Sequence, residues 1–407
     1  MKIAVIGAGP AGMMAAISAA QAGAQVLLLE KNSKLGKKLY ITGKGRCNLT
    51  NDISPQEFLK NVVSNPKFLY SAINRFTPQD TINFFEQNGC PLKVERGGRV
   101  FPLSDRSSDI IKTFEKALKN FGVEIRLNCQ VLDIFKPDKF EILCADGSKV
   151  IADCVIIACG GKSYPATGSA GDGYILAKKF GHTIIDAVPG LVSISVKEDV
   201  SSLQGLSLKN VSLTAEFEGK TVSELFGEML FTQTGVSGPI VLSTSSRINR
   251  LPLDKVKLYI DLKPALDYNK LDERILRDFS KYQNKLFKNA LDDLLPKSLI
   301  PEIIKRSGID ENQRVNVITK NQRQNLINAL KRFELNVESL DGFERAIITC
   351  GGVDTKEINP SKLESKLVKG LYFAGEVIDV DAYTGGYNIQ IAVSTGYLAG
   401  VNAAGGL

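Results

Sequence analysis

The sequence has 407 residues, 43% of them hydrophobic and 23% charged, with a net charge of +7. These values are ordinary for a soluble chain of about two to three domains, and no apolar run reaches the roughly 18 residues that span a bilayer. Seven cysteines without a C-x-x-C pair, and His182 as the single histidine, argue against a zinc ribbon, a dithiol redox pair, a His-rich metal site and a Ser-His-Asp hydrolase, so the hard chemistry falls to a cofactor.

Ile3 to Ile6 is an apolar strand-like run, followed by Gly7, Gly9 and Gly12 as G-x-G-x-x-G. Pro10 stands where a helix starts and its missing N–H costs nothing there. Met13 to Ala22 reads as that helix and Gly23 as its end. Gln25 to Leu29 is a second strand that stops at Glu30. Gly7 suits a tight turn, Gly9 a close approach of backbone to a pyrophosphate, and Gly12 close packing of helix on strand. The helix N-terminus then faces the phosphates, and Glu30 is spaced to accept from an adenosine ribose. The unit predicts a dinucleotide site but does not choose between FAD and NAD(P). Because the first residues are already a core strand, no signal peptide and a cytoplasmic location are expected.

Six cations lie from Lys31 to Arg46, with Gly36, Gly43 and Gly45 among them. Beside the fingerprint, this basic loop suits a segment lying along a pyrophosphate and a flavin. Residues 54–90 read as helical, 92–102 as a hairpin turning at Gly97-Gly98, 105–121 as a helix and 123–127 as a strand. Cys129 to Val131 is an extended stretch that would edge an adenine. A hairpin over 140–152 precedes the buried strand Val155–Ala158, which closes in Cys159-Gly160-Gly161; a helix follows over 172–180. Residues 191–262 alternate apolar and polar like a small antiparallel β domain, interrupted by the polar loop FTQTGVSGP at 231–239. Residues 265–333 are lysine-rich and helical in pattern. The chain then returns to α/β style, and the last helix, entered through Gly385-Gly386, would aim its N-terminus at an electron-rich target.

Seven segments carry a family resemblance: GAGPAG at 7–12, GKKLYITGKGRCNLTN at 36–51, ACGGKSYPATGSAGDGY at 158–174, FTQTGVSGP at 231–239, TCGGV at 349–353, GLYFAGEVIDVDAYTGGYNIQIA at 370–392 and the closing TGYLAG. In this order, over the whole chain, they make it resemble the YhiN/BaiN-like flavoproteins, NAD(P)/FAD-dependent oxidoreductases that include an aminoacetone-oxidase-like group. The resemblance implies an α/β fold in which a discontinuous Rossmann-like FAD-binding domain is interrupted by an antiparallel β-barrel-like domain and a small helical subdomain. The boundaries expected are 1–190 for the first FAD-binding part, 191–264 for the barrel-like domain, 265–333 for the helical insertion, 334–344 for the return of the β domain and 345–407 for the second FAD-binding part.

The resemblance also implies FAD contacts. Gly7, Gly9, Pro10, Ala11, Gly12, Glu30 and Lys31 belong to the fingerprint unit. Lys38, Gly45, Arg46, Cys47 and Asn48 come from the basic loop, with Val131 at the adenine and Gly160 and Gly161 on the ADP side. Gly375, Glu376 and Asp379 would meet the ribityl and pyrophosphate, and Gly385, Gly386, Tyr387, Asn388 and Ile389 the ring. Many relatives have histidine at the third position of the FT-x-x-G-x-SGP loop, where this chain has Gln233. Candidate catalytic side chains are Tyr383, Tyr387 and Cys47; the alternative for Cys47 is a backbone contact with an inert thiol. No metal site is expected.

The function expected is passage of hydride or electron pairs between a small organic substrate and non-covalently bound FAD. With one G-x-G-x-x-G in the chain, NAD(P)H would dock transiently as donor. The alternatives are an RNA-modifying flavoprotein and a flavin-dependent amine oxidase. Nucleic acid ranks below a small-molecule partner, because aromatic content is 7% with no tryptophan and no cysteine pair. No membrane partner is expected.

Overall fold

The computed structural model describes residues 1–406. It divides into two units, Met1–Gly190 together with Gly342 onward, and Leu191–Asp341.

The first unit is built on β1 (Lys2–Ile6), α1 (Pro10–Gln21), β2 (Gln25–Leu29), β3 (Glu124–Arg126), β4 (Cys154–Ile157), α2 (Asp172–Lys179), β5 (Ile184–Gly190), β6 (Ile348–Val353), β7 (Leu371–Phe373) and α3 (Tyr387–Ala403). Five strands form a parallel sheet in the order β7-β4-β1-β2-β3. In β1, β2, β4 and β7 nearly every residue is buried, as expected of a parallel sheet covered on both faces. β5 pairs antiparallel with β6. Helices α1 and α3 cross at unusually short range: a Cβ at Gly396 would lie 2.3 Å from the Ala11 carbonyl oxygen, and one at Gly400 2.3 Å from that of Ala15. Small residues on both helices permit this approach, which brings the chain's two ends together.

The helical reading of 54–90 needs correction. The segment is broken into helices Pro55–Leu59, Tyr70–Arg75 and Pro78–Gln87, with a short strand Val62–Ser64 and a 3-10 turn Pro66–Leu69. Prolines 55, 66 and 78 each start a new piece, and proline bars the preceding residue from the helical region.

The second unit is a closed barrel in the order Ile194–Val196, Gly235–Ser237, Lys220–Phe231, Ser207–Phe217, Val256–Asp261 and Phe333–Leu340. Helices Tyr268–Lys281, Ile300–Ser307 and Lys320–Lys331 share its core, with Leu271, Ile275, Ile303 and Leu326 packed in one cluster with Leu258, Ile260 and Phe333. One helix, Pro239–Ile248, lies inside the stretch read as β. Its Ser/Thr-rich sequence hides the helical period, and only Pro239 after Gly238 marks its start.

His182 is buried between α2 and β5. Its Nδ1 lies 3.1 Å from Glu357 Oε2 and its Nε2 2.7 Å from Ser365 Oγ. The line resembles a hydrolase triad, but the Ser365 oxygen already accepts from the backbone N–H groups of Leu367 and Val368 at 3.0 and 2.9 Å. With its lone pairs committed, Ser365 is a latch and not a nucleophile. Burial holds the imidazole below its ordinary 6.5, against the pull of Glu357. The unfolded chain therefore takes up this proton first, and the contribution of His182 to stability is complete above about pH 6.5 and lost as pH falls toward the folded value. Thermal melts from pH 7.5 to 5 should show a steeper decline for wild type than for His182→Gln. Parallel curves would remove His182 from the acid sensitivity.

Candidate cofactor site

The three fingerprint glycines do different things. A Cβ at Gly7 (φ +99°) would lie 2.6 Å from the Ala158 oxygen, and a Cβ at Gly12 only 1.8 Å from the Gly7 oxygen. Both positions are locked by backbone. Gly9 is the reverse: it has an ordinary extended conformation, and nothing lies within 4 Å of where its Cβ would be. It stands at the N-terminus of α1 with Pro10 next, and no side chain caps the helix. The crevice at the carboxyl ends of β1 and β4, on either side of which the chain connections diverge, is thus open at Gly9.

Glu30 is buried at the tip of β2. Its Oε2 accepts from the Ala8 N–H at 2.8 Å, and its Oε1 accepts from the N–H and the side-chain amide of Asn32 at 2.8 and 2.7 Å. The Cys129 N–H donates to the Glu30 carbonyl at 2.9 Å, bringing the buried Val131 toward the same end. Lys31 pairs with Asp172 at 2.6 Å.

The basic loop is held in left-handed turns at Gly36, Gly43, Lys44, Gly45 and Cys47. Lys38 reaches Glu376 at 2.7 Å, joining residues 338 positions apart. Arg46 points elsewhere: it pairs with Asp105 at 2.6 Å and Glu95 at 2.5 Å and lies 4.2 Å over the Phe101 ring. Its Nε and Nη2 are committed to these two carboxylates. Cys47 is fully buried, and burial pushes its thiol up to about 12. Such a thiol is not a nucleophile at neutral pH. Cys47→Ala should keep full flavin content and reduction rate and lose on the order of 1 kcal/mol of stability; a colourless or inactive variant would restore Cys47 as a functional side chain.

Gly160 and Gly161 lie at the start of the loop after β4. A Cβ at Gly161 would lie 2.4 Å from the Thr349 hydroxyl, and the Tyr174 hydroxyl is 3.1 Å from the same point. That hydroxyl is buried without a hydrogen-bond partner. After β7, Gly375 (φ +75°) would place a Cβ 2.7 Å from that of Ala11, so the second half of the unit meets the first turn of α1 there. Asp379 accepts from the Asn65 amide through its carbonyl at 2.7 Å and its carboxylate at 3.0 Å.

The basic loop and the start of α3 are zipped together. The Asn48 amide bridges the Thr50 carbonyl and the Gly386 N–H, each at 3.2 Å. Asn51 donates to the Gly385 carbonyl at 3.2 Å, and the Thr50 hydroxyl donates to Gln390 Oε1 at 2.6 Å. Gly385 and Gly386 both have positive φ, and a Cβ at Gly386 would lie 2.4 Å from the Thr50 oxygen. Asn388 grips the Ala382 backbone N–H and C=O at 3.0 and 2.8 Å. Tyr387 packs edge-on to Phe58 with centroids 5.3 Å apart, and burial pushes its phenol up. Ile389 and Tyr383 are half-buried, and the Tyr383 N–H donates to the Asn61 carbonyl at 3.0 Å.

The fingerprint, Lys38, Gly160, Gly161, Gly375 and Glu376 therefore surround one end of the sheet, and Asn48, Gly385 and Gly386 form one turn cluster. The Arg46 side chain stands apart. Thr50, Asn51, Ser163, Thr349 and Gln390 were not singled out from the sequence, although all but Thr349 lie within a few residues of assigned positions. The open face at Gly9, the uncapped α1 and the unpartnered Tyr174 hydroxyl fit a diphosphate-bearing cofactor in this crevice. No helix among the described residues is long and apolar enough to cross a membrane.

Residues 1–402 match the family model described as the HI0933-like protein Rossmann domain. A 3-dehydro-bile acid delta(4,6)-reductase of Clostridium scindens is 34% identical over 407 residues, 99% of each chain. A ribosomal RNA dihydrouridine synthase of Escherichia coli is 33% identical over 398 residues, 97% of this chain and 95% of its own. Among solved structures, the 3-ketosteroid-delta4-(5alpha)-dehydrogenase of Rhodococcus jostii RHA1 shares the fold with a TM-score of 0.54, covering 99% of this chain and 96% of its own at 16% identity. With the model spanning almost the full sequence and the Rossmann crevice in place, the chain belongs to the HI0933-like Rossmann-domain family of FAD-dependent oxidoreductases.

Proposed function

We propose that this chain is an FAD-dependent reductase of a carbon–carbon double bond conjugated to a carbonyl, acting on a small organic substrate with NAD(P)H as transient donor. The observation that carries the reading is full-length similarity to two relatives whose named reactions share this chemistry. A delta(4,6)-reductase of a 3-dehydro-bile acid saturates a dienone, and dihydrouridine differs from uridine by saturation of a ring bond conjugated to a carbonyl.

In this reading Gly7, Gly9, Pro10, Ala11 and Gly12 hold the FAD diphosphate, and Glu30, Lys31 and Val131 hold the adenosine. Lys38, Gly45, Cys47, Asn48 and the Arg46 backbone line the basic loop side. Gly160, Gly161, Gly375, Glu376 and Asp379 close the middle, and Gly385, Gly386, Tyr387, Asn388 and Ile389 flank the ring. FAD, when bound, supplies an acceptor and donor of hydride. The chain supplies the uncapped N-terminus of α3, whose N–H groups favour negative charge beside it. Burial keeps the Tyr387 phenol protonated, and Tyr383 is the second candidate side chain at this end.

A second reading is favoured by the 33% identity to the ribosomal RNA dihydrouridine synthase and the net charge of +7: the conjugated bond belongs to a uracil in RNA. The test is anaerobic mixing of the yellow protein with NADH and NADPH, followed by addition of cyclic enones or of a uridine-bearing transcript. Bleaching by a nicotinamide and reoxidation by enones supports the first reading, and reoxidation by RNA alone supports the second. Bleaching by amines and by neither nicotinamide would overturn both in favour of an amine oxidase.

A further inference from the structure

Glu376 is gripped from three directions. Its Oε1 accepts from the Thr349 backbone N–H at 2.6 Å and the Ser163 hydroxyl at 2.9 Å, and its Oε2 accepts from Lys38 Nζ at 2.7 Å. Lys38 also donates to Ser163 Oγ at 2.5 Å. The Thr349 hydroxyl accepts in turn from the backbone N–H groups of Lys162 and Ser163 at 2.8 and 3.0 Å. Ser163 and Thr349 are buried, whereas the Lys38 and Glu376 side chains each keep 22% of their surface exposed. The carboxylate is thus fixed from behind and open on one side.

Its position gives the pair a task. Gly375 packs against Ala11, in the first turn of α1, so the Glu376 charge stands beside the place proposed for the FAD diphosphate. An unpaired carboxylate there would repel two phosphate charges in a partly dry crevice, where Coulomb energies are several-fold larger than in water. Resting on the FAD reading above, we infer that Lys38 works through Glu376: it cancels the carboxylate's charge so that the diphosphate is accepted, and Ser163 and Thr349 are positioning residues that hold Glu376 for it. The neutralised carboxylate keeps its oxygen for cofactor hydroxyls without its field.

The test is fluorescence titration of the full-length apoprotein with FAD and, in parallel, with riboflavin, which lacks the diphosphate. Lys38→Met should weaken FAD binding on the order of 30-fold, because it strands a carboxylate, and riboflavin binding by less than about 3-fold. Glu376→Gln should stay within about 5-fold of wild type, and the double variant should return to the level of Glu376→Gln. The Lys38→Met penalty should shrink as salt is raised. Ser163→Ala should show the same FAD-over-riboflavin split in milder form, about 3- to 10-fold, and Thr349→Ser should bind like wild type. A double variant as weak as Lys38→Met overturns the inference, since Lys38 would then touch FAD directly. Equal penalties for FAD and riboflavin overturn it in favour of a purely structural role. Wild-type apoprotein that binds no FAD overturns the cofactor reading itself, and the inference with it.

Discussion

Gly9→Val is expected to fold and to purify without flavin. The new side chain meets no neighbour within 4 Å of its Cβ, and the backbone at position 9 (φ −76°, ψ −179°) is one that valine adopts freely. The stability cost should stay on the order of 1 kcal/mol, from a poorer residue at the helix N-cap. The space it fills is the open face at the N-terminus of α1, where a diphosphate must approach the backbone, so FAD affinity should fall by at least about 100-fold. Gly12→Ala makes the contrasting case. Its methyl group would lie 1.8 Å from the Gly7 oxygen, a backbone atom that moves only if the turn opens. That variant should lose upward of about 3 kcal/mol and bind FAD poorly because the unit is deformed. Thermal melting and flavin absorbance on the same preparations separate the two behaviours. A yellow Gly9→Val protein with wild-type affinity would move the cofactor away from this helix.

Gln390→Leu should be strongly destabilising. Gln390 is fully buried: its carbonyl accepts from Thr50 Oγ1 at 2.6 Å, and its amide donates to Ser394 Oγ at 2.9 Å and the Phe76 carbonyl at 3.2 Å. Leucine leaves the Thr50 hydroxyl without an acceptor and Ser394 Oγ without this donor, while the Phe76 carbonyl keeps the Ser394 hydroxyl at 2.6 Å. Buried groups left unmatched cost about 1–3 kcal/mol each, so a loss of about 2–4 kcal/mol and a melting point lower by on the order of 5–10 °C are expected. The same bond ties the basic loop to α3, so flavin should also be lost more readily. Adding Thr50→Val should recover part of the stability, because removing both partners costs less than orphaning one. A double variant no more stable than Gln390→Leu would show that packing, and not the hydrogen bond, sets the cost.

The parts readable in one dimension are those whose physics is local. The strand, glycines, helix, strand and acid from Ile3 to Glu30 are consecutive, so the fingerprint is legible from spacing alone. The hairpin at Gly97-Gly98 and the helix at 172–179 follow from turn residues and apolar period in the same way. The element readings that needed correction failed for local reasons too. Pro55, Pro66 and Pro78 cut a helical pattern into pieces, and the helix Pro239–Ile248 carried no readable period because four of its seven buried residues are Ser or Thr.

The candidate site divides along the same line. Residue types and spacing alone pointed to a dinucleotide crevice and, with one histidine and no C-x-x-C, moved the hard chemistry onto a cofactor. Only the tertiary structure decided what those residues do. It turned Arg46 away to Asp105 and Glu95, buried the Cys47 thiol, and joined Lys38 to Glu376 and Thr50 to Gln390 across more than three hundred residues. The reason is physical: a turn or a helix start is specified by neighbours within a few residues, whereas an ion pair's partner and a thiol's burial depend on which distant segments the sheet and the α1–α3 contact bring together.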